Sequence, residues 1–415
     1  MRAEIITIGD ELLIGQTIDT NSAWIGAELS KLGFDVYRIT SVSDRREEIL
    51  KVLTEVTGRS DVILITGGLG PTSDDITKHT LCEFFETKLV TDPVVSSMIS
   101  GMMLRRNYPV NENNRKQAEV PESCRVLYNE TGTAPGMWFE KGGSVFISMP
   151  GVPLEMKHIM TVHVLPELGK RYDSQKIIHK NIMTYGTLEA KLAEILTGFE
   201  AGLPDFIKLA YLPSYGIIKL RLTAKGPQGT ELENEIREQT DKLYKIIPGL
   251  IYGEDEETLE MVAGRLLRES NTTLSAAESC TGGYISHLIT SVPGSSDYFK
   301  GTVIAYDNSV KTSLLKVNEN IINRYGAVSR EVSQAMAAGI KELLSTDYSV
   351  AVTGVAGPGG GGDEKPVGTV WISVASPENL TTEKFVFGSD RMLNIRRSSL
   401  AALNLLRKQI INEKQ

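Results

Sequence analysis

Residues 61–75 read Asp61-Val-Ile-Leu-Ile-Thr66-Gly67-Gly-Leu-Gly-Pro-Thr-Ser-Asp-Asp75. Val62 to Ile65 are an unbroken apolar run, the pattern of a parallel strand covered on both faces. The run stops at a glycine turn, and the polar residues beyond it open a helix. Upstream, residues 3–8 are rich in β-branched types and end at Gly9-Asp10. Trp24, Ile25, Leu29 and Leu32 then recur at helical spacing until Gly33 stops them. A strand over 34–40 and a helix over 44–57 complete a β-α-β-α-β order. That order predicts a doubly wound α/β domain with right-handed crossovers. Ser144-Val-Phe-Ile-Ser-Met149 is a later strand of the same sheet, and Pro150-Gly-Val-Pro153 turns into a helix from Leu154. The domain is expected to span 1–170.

Residues 171–252 change character. A helix near 187–197 precedes two β segments, 207–212 and 216–224, joined by Pro213-Ser-Tyr-Gly216, and a charged helix spans 228–245. This is a small α+β module, with 246–257 expected as a loop-rich connection. The third unit, 253–415, starts with a helical stripe of Leu259, Val262, Ala263, Leu266 and Leu267. Strands are expected over 272–277, 300–306, 348–353 and 367–374, with helices over 282–291, 309–315 and 329–345. That is again α/β.

The whole chain has 415 residues, enough for two or three domains at roughly 150 residues each. It is 41% hydrophobic and 23% charged, ordinary for a globular protein and wrong for a disordered one. Its net charge of −8 argues against bulk duplex binding, which needs a positive footprint. Cys82, Cys124 and Cys280 are too widely spaced for a disulfide framework or a Cys-x-x-Cys clip. A reducing cytoplasm is the expected location. No apolar run reaches the roughly 18 residues of a membrane span.

The first chemical constellation gathers at strand ends. Glycines 67, 68 and 70 let a backbone approach a ligand closely, and amides at a helix start hold phosphate. Gly9-Asp-Glu-Leu-Leu-Ile-Gly15 and Pro150-Gly-Val-Pro-Leu-Glu155 also follow strands. Three such turns converge on the sheet edge where α/β folds bind ligands. Gly68, Gly70, Thr72 and Gly151 are the candidate substrate contacts. Glu11, Asp74, Asp75 and Glu155 are candidate oxygen ligands of a divalent metal, Mg, Mn or Co. The plainer reading is a tight turn with Ser73 or Asp74 as helix cap.

Gly9–Gly15, Thr66–Asp75 and Met149-Pro-Gly-Val-Pro-Leu-Glu-Met156 resemble the molybdopterin-binding fold as it occurs in the competence/damage-inducible protein A (CinA) family. The resemblance implies a metal-dependent pyrophosphatase that cleaves ADP-ribose to AMP and ribose 5-phosphate. Relatives of that fold bind molybdopterin or transfer adenylyl groups, which stands as an alternative.

The second constellation is Ala276-Ala-Glu-Ser-Cys-Thr-Gly-Gly283. Ser279 is the natural nucleophile, and the N–H groups that follow it suit an oxyanion. A serine needs a base. Only His287 lies in this unit, inside a helical stretch, which disfavours a Ser-His-Asp triad. A lysine serves if burial lowers its pKa, and Thr302–Lys311 offers Tyr306 and Lys311 after a strand. Cys280 is a rival nucleophile, although a buried structural thiol is the simpler reading. Val352-Thr-Gly-Val-Ala-Gly-Pro-Gly-Gly-Gly-Gly362 lacks a P-loop ending but suits one phosphate held by amides. Gly354, Ala356, Gly357, Gly359 and Gly360 are its candidate contacts, with Arg391, Arg396 and Arg397 as cations.

These residues, with Gly326-Ala-Val-Ser329 and Lys365-Pro-Val-Gly-Thr-Val-Trp371, are similar to the carboxyl-terminal domain of the same family. Ala210-Tyr-Leu-Pro-Ser-Tyr-Gly216 is similar to its KH-like linking domain. The resemblance implies nicotinamide mononucleotide deamidase activity without a cofactor. Ser279 would attack the carboxamide, Lys311 take and return the proton, Tyr306 position or relay, and amides at Cys280 and Thr281 hold the oxyanion. One departure is Gly388-Ser-Asp-Arg391, a residue longer than the family's Gly-Asp-Arg.

The expected whole is a bifunctional enzyme of pyridine-nucleotide salvage. Its expected partners are small nucleotides and a second copy of itself. The competing reading is an interaction protein in DNA uptake or repair, docking on a DNA-handling protein. Lys208, Lys219, Arg221 and Lys225 surround the central hairpin, but no Gly-x-x-Gly clamp accompanies them, so direct nucleic-acid contact is not expected.

Overall fold

A computed structural model describes residues 1–72, 75–172, 176–227 and 231–414. The chain folds as two compact units, Met1–Ile178 with Ala224–Leu232, and His179–Thr223 with Glu233–Gln415. Among the described residues no helix is long and apolar enough to cross a membrane.

The first unit holds a six-stranded sheet in the order Asp35–Val42, Arg2–Ile8, Val62–Thr66, Ser144–Met149, Gly136–Lys141, Arg125–Leu127. The first four strands are parallel, as the apolar runs predict. The last two are antiparallel, so the sheet is mixed. The reason is local: Gly142 and Gly143, both at positive φ, make a tight hairpin that returns the chain beside Ser144–Met149. Alternate side chains of the central strands face opposite layers. Ile5, Leu64 and Ile147 pack with Ile25, Leu29 and Met156 on one face. Ile6, Ile63 and Phe146 pack with Ile49, Leu53 and Leu81 on the other. Two-sided burial explains why Val62–Ile65 is apolar throughout.

The second unit carries two sheets. One runs Ile207–Ser214, Ile217–Gly226, Lys176–Tyr185, Ile251–Glu254. The expected hairpin is there, while 246–257 is not a plain connection. Ile251–Glu254 pairs antiparallel with Lys176–Tyr185 and buries Ile251 and Tyr252. Four residues with a glycine and a flanking acidic run conceal that strand in the sequence. The charged helix spans Leu232–Ile246, and residues 228–230 of its expected start lie outside the described residues.

The other sheet is ordered Phe299–Ile304, Leu274–Glu278, Tyr348–Gly354, Thr369–Ala375, Leu380–Val386. Its first three strands are parallel and its last two antiparallel to their neighbours. The helix Arg330–Leu344 packs Val332, Met336 and Ile340 on one face with Ala277 and Ala351. The helices Leu259–Glu269 and Arg391–Glu413 cover the other with Leu267, Leu403 and Leu406. Leu274–Glu278 and Tyr348–Gly354 therefore end side by side, each running into a glycine-bearing turn.

Candidate active sites

At the strand ends of the first unit the three turns line one cleft of about 410 Å³. Gly67 takes φ +116°, and a Cβ there would sit 2.1 Å from the Ile8 carbonyl oxygen. Only glycine lets that turn pass so close. Gly68, Gly70 and Gly151 line the cleft, as do Glu11, Asp75 and Glu155. The Asp75 carboxylate accepts from the Thr72 amide (2.9 Å) and the Thr72 hydroxyl. A Cβ on Gly70 would lie 2.5 Å from Asp75 Oδ2, so the glycine makes room for the carboxylate. Thr72 lines an adjoining cavity rather than the cleft itself. Glu155 accepts from Asn129 Nδ2 at 2.6 Å, and burial pushes its pKa up against that bond. Asp74 lies outside the described residues.

Among the described residues no three His, Cys, Asp or Glu groups form a metal-holding cluster. The oxygen-only donors Glu11, Asp75 and Glu155 still suit a hard divalent ion. Magnesium is commonly held by one or two carboxylates plus substrate phosphates rather than by a protein cage.

Three contributors escape a reading of the sequence alone. Asn21 donates to Thr66 Oγ1 (3.1 Å) and to the Gly151 carbonyl (2.8 Å), tying two turns together. Its Oδ1 is buried beside the cleft with no partner among the described residues. Asp44 lines the cleft and accepts from the Asp10 amide at 2.9 Å. Gln117, far off in sequence, lines it too. Asn and Gln on helices carry no signal of this kind; only the fold brings them to the strand ends.

In the second unit, Ser279, Tyr306, Lys311, Gly354, Ala356 and Arg391 line one cavity of about 200 Å³. Ser279 follows the strand Leu274–Glu278, and its amide donates to the Val352 carbonyl at 3.0 Å. The turn is held by Glu278, which sequence reading leaves without a role. This fully buried carboxylate accepts from the amides of Gly283 (3.0 Å), Ile285 (3.1 Å) and Ser286 (2.9 Å), and from the Ser286 hydroxyl (2.6 Å). An acidic residue closing an otherwise apolar strand just before a helix is the signal that marks it. No backbone carbonyl among the described residues accepts from the amides of Cys280 and Thr281. The Thr281 hydroxyl is buried and has no partner among the described residues, and it does not line the cavity.

Lys311 is 1% exposed. Its ammonium donates to the carbonyls of Ala305 (2.7 Å) and Tyr306 (3.2 Å) and has no ion pair among the described residues. Burial lowers its pKa, opposed weakly by Asp307. Cys280 goes the other way: burial pushes its thiol up to about 12, so it is protonated at neutral pH and is a poor nucleophile.

Arg391 opens the helix Arg391–Glu413, which Asp390 caps through the Leu393 amide at 2.8 Å. Its guanidinium donates to the Gly357 carbonyl (2.7 Å) and to Tyr306 Oη (3.1 Å). The longer Gly388-Ser-Asp-Arg391 stretch thus leaves Arg391 at the cavity. Asn394 pins the glycine loop by donating to the carbonyls of Ala356 (2.9 Å) and Gly388 (2.8 Å). Gly357, Gly359 and Gly360 do not line the cavity, and the last two are exposed. Arg396 stacks on the Tyr215 ring at 5.0 Å, and neither it nor Arg397 lines the cavity.

Family models match three consecutive stretches of the chain. They are described as a probable molybdopterin binding domain (residues 4–170), the damage-inducible protein CinA KH domain (179–253) and the CinA C-terminal domain (256–410). A CinA-like protein of Cytophaga hutchinsonii is 48% identical over 408 residues, 98% of either chain. One from Flavobacterium psychrophilum is 47% identical over 415 residues, 99% of either chain. Among solved structures, the competence/damage inducible protein CihA of Agrobacterium tumefaciens is 33% identical, covering 38% of this chain and 96% of its own, with a TM-score of 0.35. The molybdopterin biosynthesis enzyme MoaB of Thermus thermophilus is 22% identical over 41% of this chain and 94% of its own, with a TM-score of 0.29.

Proposed function

Because the chain belongs to the CinA family, matched over its full length by relatives such as that of Cytophaga hutchinsonii, we propose that its carboxyl-terminal domain is a serine amidase acting on nicotinamide mononucleotide. One observation carries this reading: Lys311, buried and without an ion pair among the described residues, shares a small cavity with Ser279. A buried lysine with a lowered pKa is a base that a serine hydroxyl can use. Ser279 Oγ attacks the carboxamide carbon as its proton passes to Lys311 Nζ. The oxyanion is held by the amides of Cys280 and Thr281. Lys311 returns the proton to the departing ammonia. Water, deprotonated by Lys311, then releases nicotinic acid mononucleotide from Ser279. Arg391 and the loop at Gly354–Ala356 face the substrate phosphate, and Tyr306, bonded to Arg391, positions it.

The test is ammonia release from nicotinamide mononucleotide by wild type and Ser279→Ala, with and without EDTA. Loss in Ser279→Ala together with survival in EDTA supports a metal-independent serine amidase. Retained activity in Ser279→Ala rules it out.

A second activity, hydrolysis of ADP-ribose to AMP and ribose 5-phosphate, is proposed for the first domain on its carboxylate-lined cleft. A divalent ion bound there, by Asp75 with Glu11 or Glu155, would neutralise the diphosphate and lower the pKa of a bound water. The glycine turn brings backbone to the phosphates, and Asn21 keeps the two turns in place. AMP formation that survives both EDTA and Asp75→Ala would remove this reading. The three cysteines are free thiols, in keeping with the cytoplasmic location we propose; we also propose a homodimer.

A further inference from the structure

The cleft of the first domain has a side cavity of about 290 Å³. The two share Gly70, Pro71, Asp75 and Gln117 as walls. Two side chains of the side cavity play no part in the chemistry above. Lys78 is 9% exposed. Its ammonium reaches only the carbonyls of Lys116 (3.4 Å) and Gln117 (3.3 Å), at the long end of hydrogen bonding, and has no ion pair among the described residues. Gln117 is 3% exposed, and its Oε1 has no partner among the described residues. Burying a cation without its counter-ion is costly, and so is leaving a buried acceptor unpaired. Both costs fall on one cavity, at the wall it shares with the cleft.

A ligand that relieves both must bring an anion for Lys78 and a hydroxyl donor for Gln117 Oε1. A phosphorylated sugar has both. Lys116 and His79 at the same cavity add to the attraction for phosphate. Asp75 and Glu119, also lining it, repel a bare anion but accept from sugar hydroxyls. We infer that the side cavity is the subsite for the sugar-phosphate arm of an extended nucleotide diphosphate, with Lys78 on the phosphate and Gln117 accepting from the sugar. The inference rests on reading the first domain as a hydrolase of ADP-ribose, whose non-adenosine arm is ribose 5-phosphate. Neither residue stands out in sequence, since Thr77-Lys-His-Thr80 reads as a solvated helix turn.

Calorimetric titration of the full chain with ribose 5-phosphate, ADP-ribose and AMP tests it. Wild type is expected to bind all three. Lys78→Met, close to its parent in size, is expected to weaken ribose 5-phosphate and ADP-ribose at least tenfold and to leave AMP unchanged. Gln117→Met, at the wall shared with the cleft, is expected to weaken ribose 5-phosphate at least tenfold. Equal affinities in wild type and both variants overturn the subsite, even where ADP-ribose is hydrolysed. So does a wild type that binds no ribose 5-phosphate. Ribose 5-phosphate bound through Lys78 by a protein that does not hydrolyse ADP-ribose keeps the subsite and removes the hydrolase reading. Where Lys78→Met fails to fold, Gln117→Met decides alone by its affinity for ribose 5-phosphate.

Discussion

In the proposed amidase, Lys311 sets the pH behaviour. Its neutral form is the base, and burial places its pKa below the ordinary 10.5. Ammonia release therefore rises with pH as the ammonium deprotonates and levels off below the range of a free lysine. Lys311→Arg keeps the cation but cannot lose its proton. Turnover should fall about 100- to 10,000-fold, the usual span for a general base, and the rising limb should vanish from the rate profile. A variant that keeps the limb would assign the base elsewhere. Glu278 makes a structural prediction beside it. Glu278→Gln sets an NH₂ against a ring of donors, and each lost bond to the charged group costs about 1.5–3 kcal/mol. The urea midpoint should drop, with ammonia release falling because the Ser279 turn loosens. Ser279, Tyr306 and Lys311 were legible because a serine beside glycines and a lysine after a strand are chemistry with a spacing. Glu278, Asn21 and Lys78 were not, because their roles depend on burial and on partners distant in sequence.

The glycine loop of the second unit works as an element. Gly368 takes φ +90°, and a Cβ there would lie 2.6 Å from the Gly388 carbonyl oxygen. The strand Thr369–Ala375 thus starts where only glycine fits against the segment that leads into Arg391. Gly368→Ala should cost about 1–2 kcal/mol for the left-handed conformation alone. Displacement of Gly388 would also move Arg391, so the variant should show a raised KM for nicotinamide mononucleotide with a smaller change in kcat. The reverse split would mean that the loop holds Ser279 rather than the phosphate. Element by element, parallel strands such as Val62–Thr66 were legible from their apolar runs, and so were the edge strands Asp35–Val42, Ile207–Ser214 and Phe299–Ile304. Gly136–Lys141 and Lys176–Tyr185, inside their sheets, were not, and neither were the edge strands Leu380–Val386 and Ile251–Glu254. Leu380–Val386 mixes Thr, Glu and Lys with few apolar residues, and it pairs only on one side. Ile251–Glu254 is short and acidic at its end, so its pairing comes from the partner strand and not from its own pattern.

At the scale of the molecule, the two cavities have no lining residue in common and lie in different units. The chemistries proposed for them also differ: one would draw on oxygen ligands beside a diphosphate, the other on a serine and a neutral lysine. Crossed inactivation follows from that. Ser279→Ala should abolish ammonia release and leave AMP formation from ADP-ribose within about twofold. Asp75→Ala and EDTA should do the opposite. Both assays on the same preparations make the comparison internal, because each activity reports that its own domain is folded while the other is lost. If Ser279→Ala also stops AMP formation, or EDTA also stops ammonia release, the two reactions do not belong to separate sites. One of the two assignments must then be given up, and the metal-free amidase is the one that EDTA sensitivity would remove.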